Sequence, residues 1–255
     1  MPSSPDDEEL PPFLLPFVLP IEPVEPLRDG AIDWYLPPDD SEPGRLPAVV
    51  FVHGGPVPPW LEPKPRAWPS YRGYGAWAAR AGFVGVTFDH GFESYETFDV
   101  AVADIAHAIE AAQTHPHVDP DRIVLWGFSG AGMLLGPWVD ESPAWLRGVA
   151  ASYPCCRPLE DAPSAPIALA EAVADAGELP ILLTRVGLEE DEVAETVTEL
   201  VAAAESVGAA LDVIDVPHGH HGFDQVDPGA ESQQAVRTAM SWVVDRLSPG
   251  SREEG

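Results

Sequence analysis

An α/β fold on a mostly parallel, doubly wound sheet is the architecture this sequence predicts. We expect about eight strands, an antiparallel pair at the N-terminal end and helices on both faces. Short continuous runs of β-branched and aromatic residues recur along the chain, as in strands buried on both faces. Between them lie stretches with apolar residues at three- and four-residue spacing, the mark of helices packed on one side. The chain has 255 residues, 45% of them hydrophobic, enough for one large core.

The elements follow in order. Residues 17–24 and 31–36 read as the antiparallel pair, joined through Arg28-Asp29-Gly30. Val49-Val50-Phe51-Val52 is the first buried strand, and residues 56–72 form a proline- and aromatic-rich loop too long for a simple connection, a lid or pocket wall. A helix is expected around 71–81, then a strand at 83–88 and a helix carrying Phe98, Val102, Ile105, Ile109 and Ala112. Further strands are expected at 123–126, 148–153, 181–183 and 211–216. The strand at 123–126 runs through a glycine-rich turn into an apolar helical stretch. Val193, Val197, Leu200, Val201 and Ala204 mark another helix, and Val236, Met240, Val243 and Leu247 the last. With no internal repeat and no linker, residues 13–247 read as a single domain between flexible tails at 1–12 and 248–255.

Charge narrows the partners. Thirteen basic residues against 42 acidic ones give 13 − 42 = −29, and twelve of the thirteen are Arg, with Lys64 the exception. No basic face is available for nucleic acid or an anionic membrane. The acidic start lacks a positive leader region, and the apolar patch at 13–20 is short and broken by proline, so neither a signal peptide nor a membrane span is expected. Two adjacent cysteines, Cys155 and Cys156, make no disulfide framework and read as reduced packing residues. The expected location is the cytoplasm. The oligomeric state is open, a homodimer included.

The chemistry concentrates where strands end. Ile123-Val124-Leu125-Trp126 runs into Gly127-Phe128-Ser129-Gly130-Ala131-Gly132. A serine between small residues at a sharp turn from a buried strand is the nucleophile-elbow arrangement, with the following N–H facing a developing oxyanion. Ala131 stands where glycine is usual. The early strand ends in His53-Gly54-Gly55-Pro56. Pro56 has no N–H and Gly54 is used in the turn, so Gly55 is the second oxyanion donor beside Gly130, while His53 holds the loop. After the last strand comes Pro217-His218-Gly219-His220-His221-Gly222-Phe223-Asp224, and after the one before it Gly187-Leu188-Glu189-Glu190-Asp191. The order serine, acid, histidine is that of the α/β-hydrolases.

On these anchors the chain resembles the dienelactone-hydrolase and prolyl-oligopeptidase-like branch of the α/β-hydrolases, over about 17–247. The resemblance implies a Ser129, Glu189 and His221 triad, with Glu190 and Asp191 as competing acids; glutamate stands where aspartate is commoner. It implies two-step acyl transfer on a small ester or amide, with no metal or organic cofactor. A small carboxylic ester is the first expectation. A small oligopeptidase or amidase is the second, set back by the lack of room for a gating domain. A catalytically silent binding scaffold is the third.

Other conspicuous residues have plainer readings. His218, His220 and His221 crowd together without ligand spacing for a metal site. His115 and His117 flank a proline in a polar turn and are expected in solvent. Trp60, Trp68, Tyr71, Tyr74 and Trp77 form either a lid or acyl pocket or, for some of them, the apolar face of the helix around 71–81, and Asp89-His90 shapes a wall of the site.

Overall fold

The computed structural model describes residues 10–38, 44–160, 162 and 164–248. Eight strands form one sheet: β1 (Leu27–Asp29), β2 (Ile32–Tyr35), β3 (Leu46–Val52), β4 (Val84–Phe88), β5 (Val118–Phe128), β6 (Leu146–Ser152), β7 (Ile181–Leu188) and β8 (Leu211–His220). Their spatial order is β1-β2-β4-β3-β5-β6-β7-β8. β1 and β2 are antiparallel to each other, and β2 to β4; β4 through β8 run parallel.

Seven α-helices accompany them: α1 (Pro69–Arg80), α2 (Phe98–Thr114), α3 (Gly136–Glu141), α4 (Leu169–Ala172), α5 (Asp191–Val207), α6 (Phe223–Val226) and α7 (Ala230–Leu247). Strand alternation sorts the core into two layers. Ala48, Val50 and Val52 of β3 and Ile123 and Leu125 of β5 face α2 and α5. Val49 and Phe51, with Val124, Trp126 and Phe128, face α1 and α7. Both faces are covered, so the strand runs are continuously apolar. Trp126, fully buried, satisfies its indole by donating to Ser152 Oγ at 3.0 Å.

Helix ends follow local chemistry. Pro69 opens α1, where a missing N–H is harmless. Asp191 and Glu192 sit in the first turn of α5, favourable toward the helix dipole, and Gly208 closes it at φ 69°.

Three expectations are corrected. Residues 17–24 form no strand, because Pro20 and Pro23 remove ladder donors; Val18 and Leu19 instead bury against the α1 and α7 layer. The antiparallel partner of β2 is the three-residue β1. The elbow is followed not by a long helix but by a 3-10 turn, Ser129–Met133, and then the six-residue α3. β8 also runs further than expected, so His218 and His220 are strand residues and His221 is the first beyond it.

The N-terminal tail expectation falls largely on residues 1–9, outside the described residues, as do 249–255. Within its bounds, Pro12 begins a 3-10 turn, and just beyond them the Phe13 carbonyl accepts from Gln225 Nε2. No helix among the described residues is long and apolar enough to cross a membrane.

Candidate active site

Strand register brings the expected residues together. Val52 of β3 pairs with Gly127 of β5, and Phe128 pairs with Ser152 of β6. The chain therefore leaves three neighbouring strands at one level, carrying His53, Ser129 and Tyr153. At the sheet edge Leu188 of β7 pairs with His220 of β8, so the next residues, Glu189 and His221, emerge side by side. A bulge in β8 makes that register, since Pro217, His218 and Gly219 stand opposite the single Gly187, whose Cβ would collide with the Pro217 carbonyl.

Ser129 sits at φ 53°, a conformation side chains rarely adopt, as an elbow requires. Its Oγ lies 2.6 Å from His221 Nε2, and His221 Nδ1 lies 2.7 Å from Glu189 Oε2. With the imidazole neutral, Ser129 donates to Nε2 and Nδ1–H donates to the carboxylate. Glu189 is 5% exposed at its side chain, and its other oxygen accepts the Glu190 N–H at 2.9 Å. Glu190 and Asp191 are exposed, Asp191 being the first residue of α5. Of the three carboxylates, Glu189 is the one in contact with His221.

The turns beside Ser129 leave no room for side chains. A Cβ on Gly130 would strike the Gly55 carbonyl, and one on Gly127 would lie 2.6 Å from Leu135 Cδ1. Ala131 is accommodated because its methyl points where Gly127 has none, 3.2 Å from that absent Cβ. The Gly54 N–H donates to Tyr71 Oη at 3.2 Å. Among the described residues the N–H groups of Gly55 and Gly130 have no acceptor within the chain. Gly55 N lies 3.0 Å from the site of a Cβ on Gly130, so the two amides are close neighbours.

Two buried imidazoles brace this loop. The rings of His53 and His90 stack at 3.6 Å with 7° between planes. The His90 backbone N–H donates to His53 Nε2 at 3.2 Å, so the His53 proton sits on Nδ1 and donates to the Gly54 carbonyl at 2.6 Å. His90 Nδ1 accepts the Phe92 N–H at 3.4 Å, leaving Nε2–H to donate to the His53 carbonyl at 2.9 Å. Burial, and for His53 the neighbouring His90, disfavour charge: His53 is held well below the ordinary histidine range and His90 is pushed down to about 4. The loop at 56–72 is pinned by Arg66, which pairs with Asp89 at 3.0 Å.

The remaining histidines of the cluster part company. His218 faces Glu231, His220 faces Asp227, and only His221 turns to Ser129. Cys155 and Cys156 are both free thiols, raised by burial. The backbone N–H of Cys155 donates to the Ser129 carbonyl at 3.1 Å, tying the elbow to the end of β6. His115 stacks on Trp34, with ring centroids 4.3 Å apart.

Tyr71, Tyr74, Tyr153 and Asp224 were not separable as site residues by sequence, since their partners lie far away along the chain. Tyr74 and Tyr153 each donate to one oxygen of the fully buried Asp224, both at 2.9 Å. Burial first, partly offset by those two phenols, lifts the Asp224 carboxyl to about 6.

Comparison with known proteins agrees with this architecture. The BD-FAE family model matches residues 32–136. No curated protein sequence matches the chain. Among solved structures, Thermogutta terrifontis esterase 2 phosphorylated by paraoxon superposes with a TM-score of 0.66 at 20% identity, covering 86% of this chain and 90% of that one. A bacterial heroin esterase gives 0.69 at 19% identity, covering 85% and 79%. A candidate dienelactone hydrolase of Klebsiella pneumoniae gives 0.64 at 16%, covering 83% and 91%. With this sheet order, the elbow after β5 and these structural likenesses, the chain is an α/β-hydrolase by fold.

Proposed function

We propose that this chain is a serine hydrolase that cleaves a small carboxylic ester through an acyl-enzyme. The observation that carries the reading is the unbroken run from Ser129 Oγ to His221 at 2.6 Å and on to Glu189 at 2.7 Å. In the reaction, Ser129 Oγ bonds to the ester carbonyl carbon as its proton passes to His221 Nε2. Glu189 holds the tautomer and stabilises the imidazolium. The oxyanion is received by the Gly55 and Gly130 amides, each donor contributing about 3 kcal/mol in comparable sites. The carbon–oxygen bond to the alcohol then breaks, and the alcohol leaves with the proton from His221. Water repeats the cycle on the acyl-enzyme, releasing the acid and free Ser129.

The structural neighbours favour an ester over a peptide bond: they include the esterase phosphorylated by paraoxon, the same esterase with butyrate bound, and the heroin esterase. A cavity of about 650 Å³ beside the triad acid is lined by Leu159, Leu188, Glu190, Asp191, Glu192 and Val193. Ser129 is not part of its lining, and its carboxylates disfavour anionic substrates only on the approach from the Glu189 side.

Turnover of p-nitrophenyl acetate and labelling by a fluorophosphonate probe test the reading, with loss of both in Ser129→Ala. Absence of labelling in the wild type, or equal labelling of the variant, overturns it. Faster cleavage of aminoacyl amides than of acyl esters would move the activity to the peptidase class.

A further inference from the structure

Directly behind His221 lies a second carboxylate that the acyl-transfer scheme leaves without a task. Asp224 follows His221 by three residues, across Gly222 at φ 75°, and is fully buried on the one-turn helix α6. A carboxylate in such a place needs donors. It has two, from distant parts of the chain: Tyr74 Oη from α1 to Oδ2, and Tyr153 Oη from the end of β6 to Oδ1. Its backbone carbonyl accepts the Val18 N–H at 2.8 Å, so the N-terminal segment closes over it.

Tyr153 connects this charge to the triad. It sits at φ 39°, a strained conformation for a tyrosine, with its N–H bonded to the Thr184 carbonyl at 2.7 Å. In that pose its ring meets the His221 imidazole edge-on, centroids 5.0 Å apart, and packs against Phe223 at 5.7 Å. His221 is thus held by hydrogen bonds at both nitrogens and by an aromatic ring whose hydroxyl ends on Asp224.

The two phenols supply two donors to the carboxylate and partly offset the burial that opposes its charge. With the carboxyl held at about 6, Asp224 is ionised at neutral pH.

We propose that the buried carboxylate of Asp224 is a positioning residue for His221, acting through Tyr153, and that its negative charge favours the imidazolium formed during acyl transfer. The assignment rests on the serine-hydrolase reading above. The groups facing Asp224 are Tyr74 and Tyr71 from α1, Tyr153 after β6, and His221 itself. Those in contact with His221 are Ser129, Glu189 and Tyr153. No basic side chain is among them, so the imidazolium is the cation on hand.

Asp224→Asn keeps the shape and removes the charge. The expected result is a folded protein with kcat for p-nitrophenyl acetate lowered roughly tenfold at neutral pH and KM changed less than about twofold. The pH dependence that Asp224 itself contributes to kcat/KM, centred near 6, should be absent from the variant's profile. Tyr153→Phe keeps the ring and loses the link, and should lower kcat in the same direction by less. Tyr74→Phe takes one donor from the same carboxylate without touching His221; it should affect melting more than kcat. A folded Asp224→Asn with wild-type kcat and a wild-type pH profile overturns the assignment. So does a Tyr74→Phe loss of kcat equal to that of Tyr153→Phe, which would mean general loosening. A wild-type chain without turnover or labelling defeats the hydrolase reading itself, and the assignment with it.

Discussion

His53 and His221 stand on opposite sides of Ser129 and have opposite surroundings. His53 is fully buried, stacked on His90, and bonded only to backbone groups. His221 is a third exposed at its side chain, with a hydroxyl at one nitrogen and a carboxylate at the other. An imidazole whose partners are fixed amides and carbonyls cannot take a proton without breaking one of those bonds, so it braces. An imidazole between a hydroxyl and a carboxylate has a place for a second proton and a charge to balance it, so it is equipped to carry protons. Partners decide the role of a histidine more than its distance from the nucleophile does.

The widest separation is expected between His221→Ala and His53→Ala. The first should lower kcat by about 10⁶-fold with little change in melting. The second should cost about 2–4 kcal/mol of stability, read by thermal unfolding, because buried amide and carbonyl partners lose their bonds. Equal stability losses in the two variants would erase the contrast. Next in size, Glu189→Gln should lower kcat by about 10⁴-fold, as loss of a triad acid does, while Glu190→Gln and Asp191→Asn stay within about twofold. Rates measured on all three decide which carboxylate serves the histidine.

A pH series of melting temperatures sharpens the comparison further. His90 takes its proton only near pH 4 in the folded chain but near 6.5 when unfolded, so its contribution is whole above about 6.5 and fades as pH falls toward 4. Asp224 has the opposite sign. Its folded value of about 6 lies above the unfolded ~3.9, so its contribution is whole below ~3.9 and lost as pH rises through 6. The two oppose each other between pH 4 and 6. Asp224→Asn should therefore steepen the acid loss of stability across that interval, and an identical slope would refute the pairing. The smallest effect is expected at the elbow: Ala131→Gly, removing one buried methyl, should cost about 0.5–1 kcal/mol in chemical denaturation with kcat nearly unchanged.

Much of this was legible along the chain, for a physical reason. Strands covered on both faces are apolar throughout, so β3 through β7 were visible as runs, and the amphipathic stripes of α2, α5 and α7 were visible between them. Ser129 and His221 were legible because steric rules tie small residues and loops to their positions. Residues 17–24 misled because apolar character was read before the prolines that forbid a ladder. The residues after Gly132 misled because buried apolar side chains fill a 3-10 turn and a short helix as readily as a long one. Glu189 could not be separated from its two neighbours, since which carboxylate comes level with His221 depends on the pairing of β7 with a bulged β8, a register that the sequence of β7 does not specify. The partners of Asp224 and His90 stayed hidden for another reason: Tyr74 is 150 residues from Asp224, and His53 is 37 from His90.

The edge position of β8 sets the order in which the protein fails. Ser129 directly follows β5, which has strands on either side, whereas His221 leaves β8, which has one neighbouring strand and only Val216 and Gly219 buried along its length. Fraying starts at such margins, where opening exposes little apolar surface. Warming should then silence the chemistry some degrees before the calorimetric transition, with amides of β8 exchanging ahead of those of β5. Activity in this fold is a fuse at the rim, and it blows while the body is still intact.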